Sequence, residues 1–141
     1  MVSWKRRRNV NSAGVNLALF EAVADDGTAT DDDLPTILLV HGWPDTHAVW
    51  DGVASHLARH ARVFAYDTRG MGDSDRPLPV SAYRIENLAD DLFAVAAAVN
   101  PGGKVHVVAH DWGSIQSWEA VSRSGCLLYT SDAADERSRG G

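Results

Sequence analysis

The chain has 141 residues, the length of one ordinary domain. Apolar residues make up 45% and charged residues 23%, the balance of a globular protein with a core, and a net charge of −6 argues against a nucleic-acid partner. No apolar run approaches the length of a membrane span, the basic residues 5–8 are not followed by the apolar segment of a signal peptide, and a single Cys excludes an internal disulfide. These features together point to a cytoplasmic protein with a solvated basic terminus.

In chain order, residues 14–23 read as a strand with Val15, Leu17 and Leu19 on one side. Residues 25–33 are acidic and turn-rich. They lack the turn Gly and the closing Glu of a calcium loop, so they read as a solvated loop, and no metal site is expected. Residues 36–40 form a continuous apolar run, as in a strand buried on both faces, and end in His41-Gly42-Trp43-Pro44. Residues 47–60 carry a helical pattern, with Val49, Trp50, Val53 and Leu57 on one stripe and Thr46 as its cap.

A second short strand, 62–66, runs into Asp67-Thr68-Arg69-Gly70-Met71-Gly72-Asp73-Ser74. Its glycines fit neither GxxxxGK[ST] nor GxGxxG, so a structural loop is expected in place of a phosphate cradle, with Arg69 pairing to Asp67. Residues 84–100 place Ile85, Leu88, Leu92, Val95, Ala96 and Val99 on one helical face, and Pro101-Gly102-Gly103 stops that helix. Strands alternating with helices predict a mainly parallel sheet with a ligand site at the carboxyl ends of its strands.

The last such strand, 105–109, passes at once into a helical pattern over 113–121 through Ala109-His110-Asp111-Trp112-Gly113. Small–x–Asp–x–small is the spacing of a nucleophile elbow, a strand-to-helix turn that lifts one side chain above the sheet and needs small flanking residues. A carboxylate at the apex needs no base, since an ordinary Asp has a pKa of about 4. It can attack an sp3 carbon and form an alkyl ester, which water then cleaves. The alternative role for Asp111 is a cap on the following helix. His41-Gly42-Trp43-Pro44 would turn the Trp43 N–H toward the elbow, and the N–H of Trp112 would be a second donor to the oxyanion.

The motifs His41-Gly42-Trp43-Pro44, residues 67–74 and His110-Asp111-Trp112-Gly113 together resemble the α/β-hydrolase superfamily in its epoxide hydrolase and haloalkane dehalogenase branch. Residues 42–51 and 109–120 resemble one bacterial subgroup, the EphD-like proteins, in which such a domain precedes a short-chain dehydrogenase/reductase domain. The resemblance covers about residues 12–123. It implies the N-terminal half of an α/β-hydrolase fold, a mainly parallel sheet with flanking helices, truncated after the elbow. It further implies Asp111 as nucleophile, Trp43 and Trp112 as oxyanion-hole amides, and a small hydrophobic epoxide as substrate. Ala109 stands where many relatives have Gly.

The family's later acid, later His and cap tyrosines have no counterpart here, since all six histidines lie at or before position 110. An epoxide-hydrolysing parent with a non-turning fragment is therefore expected. The rival readings are a haloalkane dehalogenase, with the Trp112 indole donating to the halide, and a non-catalytic module serving a fused reductase. A serine esterase using Ser114 fits poorly, because Trp112 occupies a position that needs a small residue. These residues bind no cofactor; NAD(P) would belong to the reductase domain if one is present. Oligomeric state is left open.

Residues 126–135 read residue for residue as the in-frame translation of a transposon-type sequencing adapter. Residues 1–125 are thus expected to be the partial hydrolase domain and 126–141 a non-native tail, including Cys126, with an ordinary polar tail as the other reading. A sheet ending beside the elbow strand would expose an unpaired edge, so marginal stability is expected.

Overall fold

The computed structural model describes residues 2–24, 33–124 and 128–131; the acidic loop lies outside them except for Asp33. Three strands set the frame: β5 (Thr36–Val40), β6 (Arg62–Tyr66) and β7 (Val105–Ala109). They lie parallel in the order β6-β5-β7, with Val40 level with both Tyr66 and Ala109. All three therefore end at the same height, and the loops that follow them meet above one edge.

Alternation along these strands divides the core in two. Leu38, Val40, Phe64, Tyr66, Val105, Val107 and Ala109 face one side, where they pack on α2 (Ile85–Val99) and Ala120 of α3 (Trp112–Ser124). Leu39, Val63 and Ala65 face the other, against Trp50, Ala54 of α1 (Asp51–Leu57), and Ala58 and Ala61 just beyond it. The α2 stripe is as expected for Leu92, Val95, Ala96 and Val99, which are all buried, but it also buries Asp91.

Three expectations need correction. The strand over 14–23 breaks at Ala18 into β3 (Val15–Leu17) and β4 (Leu19–Ala24). At the break the Ala18 amide donates to Ser74 Oγ and its carbonyl accepts from Asp67 N–H, so the backbone is satisfied by the loop after β6 in place of a sheet neighbour. β3 pairs with β2 (Val10–Ser12), while β4 pairs antiparallel with β6. The basic terminus is the end of an edge strand, β1 (Val2–Arg6), antiparallel to β4, although Lys5 and Arg6 stay exposed.

The helix over 47–60 opens as a 3-10 turn, His47–Trp50, with the Thr46 hydroxyl accepting from Ala48 N–H as its cap. Three residues per turn there rotate the apolar stripe away from its expected place. Val49 and Val53 are left 45% and 41% exposed, while Trp50, Ala54 and Ala58 take the buried positions. Within the segment expected to be a non-native tail, Leu128–Ser131 forms β8, which pairs in parallel with β7. A free edge of β7 offers a row of unpaired donors and acceptors, and a β-prone segment such as Leu128–Ser131 is suited to fill it whatever its origin. No helix among the described residues is long and apolar enough to cross a membrane.

Candidate active site

The elbow is built by the close approach of α3 to the end of β5. His110 N–H donates to Val40 O at 3.3 Å, which carries the β5–β7 ladder one residue past the strand. The chain then reverses at Asp111, whose φ of +59° lies in the left-handed region. That conformation costs a non-glycine residue on the order of 1–3 kcal/mol and is retained only where the surroundings impose it. Gly113 shows what imposes it: a Cβ there would lie 2.5 Å from Val40 O and 2.7 Å from His41 O. The need for a small residue at 113, read from the sequence, is this steric limit.

Asp111 is exposed, and its carboxylate faces the loop after β5. Its Oδ2 accepts from the Trp43 backbone N–H at 3.3 Å. Among the described residues its hydrogen-bond partner is thus the neighbouring loop and not an amide of α3, as the capping role would require. The Trp43–Pro44 peptide is cis. Gly42 is needed on steric grounds: a Cβ at 42 would stand 2.5 Å from Asp111 Cβ and 2.6 Å from Oδ2. Only a glycine leaves room for the carboxylate. Trp112 is the first residue of α3, and its side chain, like that of Trp43, is largely exposed beside Asp111.

His41 locks the two loops together. Thr68 N–H donates to Nε2 at 3.0 Å, so Nε2 carries no proton and Nδ1–H must donate to Gly42 O, 2.6 Å away. Burial lowers the pKa of this imidazole, against the raising effect of the Gly42 bond, and keeps it neutral. His41 therefore holds the Gly42–Trp43 backbone in place and is not available as a base.

Asp67 does the same on the other side. Its Oδ1 accepts from both the backbone N–H and Nδ1 of His47 at 2.8 Å, and Oδ2 accepts from Asp73 N–H at 3.0 Å. Burial pushes the Asp67 pKa up, but these donors outweigh it and hold the carboxyl below its ordinary range. The His47 ring also stacks on Phe20 at 3.5 Å between centroids.

The Arg69–Asp67 pair expected from sequence does not form. Arg69 instead reaches α2, with Nε and Nη2 on the two Asp91 oxygens at 2.8 and 2.7 Å and Nη1 on Ala82 O. Asp67 is already filled by His47 and Asp73, and Asp91 offers a bidentate geometry that matches the guanidinium fork. The signal for this pair was present: Asp91 is a charged residue inside the apolar stripe of α2.

These loops enclose a cavity of about 610 Å³ at the carboxyl ends of the strands. It is lined by His41, Gly42 and Trp43, by Thr68 to Met71, and by Tyr83, Leu88, Trp112 and Gln116. Asp111 is not itself a lining residue, but it adjoins two of them: its side chain lies against Gly42, and Trp112 follows it in the chain. A cavity of about 700 Å³ beside Arg6, Arg7 and Arg8 shares no residue with it. Among the described residues no cluster of three or more His, Cys, Asp or Glu side chains is arranged to hold a metal ion.

Residues 35–130 match the family described as alpha/beta hydrolase fold. The chain belongs to that family. As an α/β hydrolase it is 46% identical over 112 residues to the protein described as probable oxidoreductase EphD of Mycobacterium tuberculosis, covering 79% of this chain and 18% of that protein. It is 35% identical over 104 residues to a haloalkane dehalogenase of Sphingobium indicum, covering 72% of this chain and 33% of the other. Among solved structures, epoxide hydrolase A from Mycobacterium thermoresistibile superposes with a TM-score of 0.76 at 26% identity, over 94% of this chain and 39% of that one. The α/β-hydrolase fold, its truncated N-terminal half and kinship with epoxide hydrolases and haloalkane dehalogenases are thus as the motifs implied. The chain spans well under half the length of these relatives.

Proposed function

We propose that this chain is the nucleophile-bearing part of an epoxide hydrolase. Asp111 Oδ1 attacks one ring carbon, the C–O bond to that carbon breaks, and the freed alkoxide takes a proton. Water then adds to Cγ of the resulting ester, with negative charge developing on Oδ2. Collapse of that oxyanion releases the diol and restores the carboxylate. The observation that carries this reading is the contact of Trp43 N–H with Oδ2, the atom on which the charge would form. Trp112 N–H is the second donor in the proposal. One such donor lowers the barrier by about 3–4 kcal/mol.

The second step needs a base to activate water, which typically contributes 10²–10⁴-fold. His41 is held neutral between Gly42 and Thr68, and His47 is bonded to Asp67 and stacked on Phe20. In our reading this chain alone makes the ester but does not turn over, and the longer protein supplies acid, base and cap. The second reading is a haloalkane dehalogenase. The Trp43 and Trp112 side chains, 62% and 53% exposed at the elbow, favour it by offering two indole N–H donors for a halide. A fused reductase, with NAD(P) as its own cofactor, remains part of the proposal for the longer protein, as do a cytoplasmic setting and small hydrophobic epoxide substrates.

The test is product formation by the longer protein with epoxyalkanes and bromoalkanes. Diol from the epoxide, lost in Asp111→Asn, supports the first reading; halide release at comparable rates supports the second. Diol formation unchanged by Asp111→Asn overturns both and leaves a binding or scaffolding module.

A further inference from the structure

Gln116 lies on α3 one turn and a half beyond the elbow, is almost completely buried, and lines the cavity beside Asp111. Its Nε2 donates to Tyr66 OH at 2.9 Å and to Leu88 O at 3.2 Å. A backbone carbonyl only accepts, so the Leu88 contact fixes which end of the amide is nitrogen. Both N–H protons are engaged, and the amide cannot flip without placing oxygen against oxygen. Burial and the nearby Asp91 carboxylate raise the Tyr66 pKa, so the phenol stays protonated and the network keeps this orientation at any ordinary pH. Among the described residues Oε1 accepts no hydrogen bond, on a side chain held rigid from two sides.

The other polar cavity residues differ. Both His41 nitrogens are engaged, and the Arg69 donors go to Asp91 and Ala82 O. The Trp43, Met71, Leu88 and Trp112 side chains add apolar wall.

We infer that Gln116 Oε1 is a substrate-selecting acceptor: the cavity takes apolar molecules that carry a hydroxyl or amide N–H at a distance from the reacting carbon. Gln116 stands five residues beyond Asp111 on the helix that follows the elbow, so the donor it meets is distinct from the reacting carbon. The inference rests on reading the cavity as the substrate site of the elbow. It deepens that reading from epoxides in general to epoxides bearing a distal hydrogen-bond donor. An apolar pocket with one fixed acceptor discriminates through the cost of leaving the acceptor unmet by a ligand that has no donor.

The test compares n-hexanol with methyl pentyl ether, isomers that differ in having or lacking an O–H donor. Their binding to the 141-residue chain is titrated by ligand-observed NMR. A neutral hydrogen bond corresponds to about a 2–10-fold difference in affinity, so the alcohol is expected to bind ~5-fold more tightly. Gln116→Met is expected to erase the preference, and Thr68→Val, which removes one of the two hydroxyl groups among the lining residues, Thr68 and Tyr83, to leave it intact. Equal affinities in the wild type overturn the inference, as does a preference that survives Gln116→Met or disappears in Thr68→Val. Because Gln116→Met also removes the bonds to Tyr66 and Leu88, the wild-type comparison and Thr68→Val stand alone if that variant does not fold. No bond to Asp111 is made in this experiment. Failure of the ester chemistry would show as an unreactive Asp111 with the alcohol preference unchanged.

Discussion

At the scale of single residues, the site is governed by steric exclusion around one carboxylate. Gly42 has no Cβ because Asp111 occupies that space, and Gly113 has none because the carbonyls of Val40 and His41 do. Gly42→Ala is therefore expected to displace the Asp111 side chain while the sheet still forms. Misplacing a reacting group by about 1 Å costs on the order of 100-fold in rate. Alkylation of Asp111 in the variant should fall at least 10-fold on that scale, with an unchanged circular dichroism spectrum; undiminished alkylation would show that the glycine is incidental.

The buried titratable groups make a second residue-scale prediction. His41 has a folded pKa below its ordinary 6.5, so the unfolded chain binds that proton more readily. Its contribution is complete above pH 6.5 and is lost as pH falls below it. Asp67, held below its ordinary 3.8 against the effect of burial, adds a later loss as pH falls beneath that value. Urea midpoints measured from pH 8 to 3 should thus decline first below about 6.5 and again below about 4. A midpoint that is flat between pH 6.5 and 5 would contradict the assigned neutral His41.

At the scale of elements, the loops above the sheet are held by buried polar pairs that tie each loop to a different helix or strand. The Arg69–Asp91 pair joins the loop after β6 to α2, with the two side chains only 6% and 1% exposed. Removing one partner leaves an uncompensated buried charge. Asp91→Ala should cost about 3–5 kcal/mol by denaturant unfolding, whereas Arg69→Met with Asp91→Leu should cost much less. Equal losses would mean that the pair's net interaction, more than the orphaned charge, sets the stability.

The same scale shows what the sequence made legible. The three parallel strands, α2 and the elbow were readable, because continuous apolar runs and a 3.6-residue stripe report burial directly. The break at Ala18 and the rotated stripe of the helix after Thr46 were not. Both depend on partners distant in sequence or on a local 3-10 turn, and neither leaves a periodic signal. Asp111, Trp43 and the small flanking residues were identifiable from local motifs. The polar ties from His41, His47, Asp91 and Gln116 come from side chains 20 to 50 positions away from their partners, and spacing does not encode them.

At the scale of the whole molecule, the carboxyl ends of β5, β6 and β7 bring three loops and the start of α3 around one exposed carboxylate. The outer face of α3 carries Ile115 and Trp118, 49% and 39% exposed, close to the similarly open Trp112. In the longer protein we propose, further chain covers this apolar face and brings the base that this one lacks. Without that base, an ester formed on Asp111 has no efficient route to hydrolysis and should persist. The decisive measurement is intact-mass analysis of the 141-residue chain after incubation with an epoxyalkane, followed by peptide mapping. The account predicts one added epoxide mass, located on Asp111, stable over time and missing from Asp111→Asn. A folded chain that acquires no such mass, or acquires it equally when Asp111 is replaced, would contradict it.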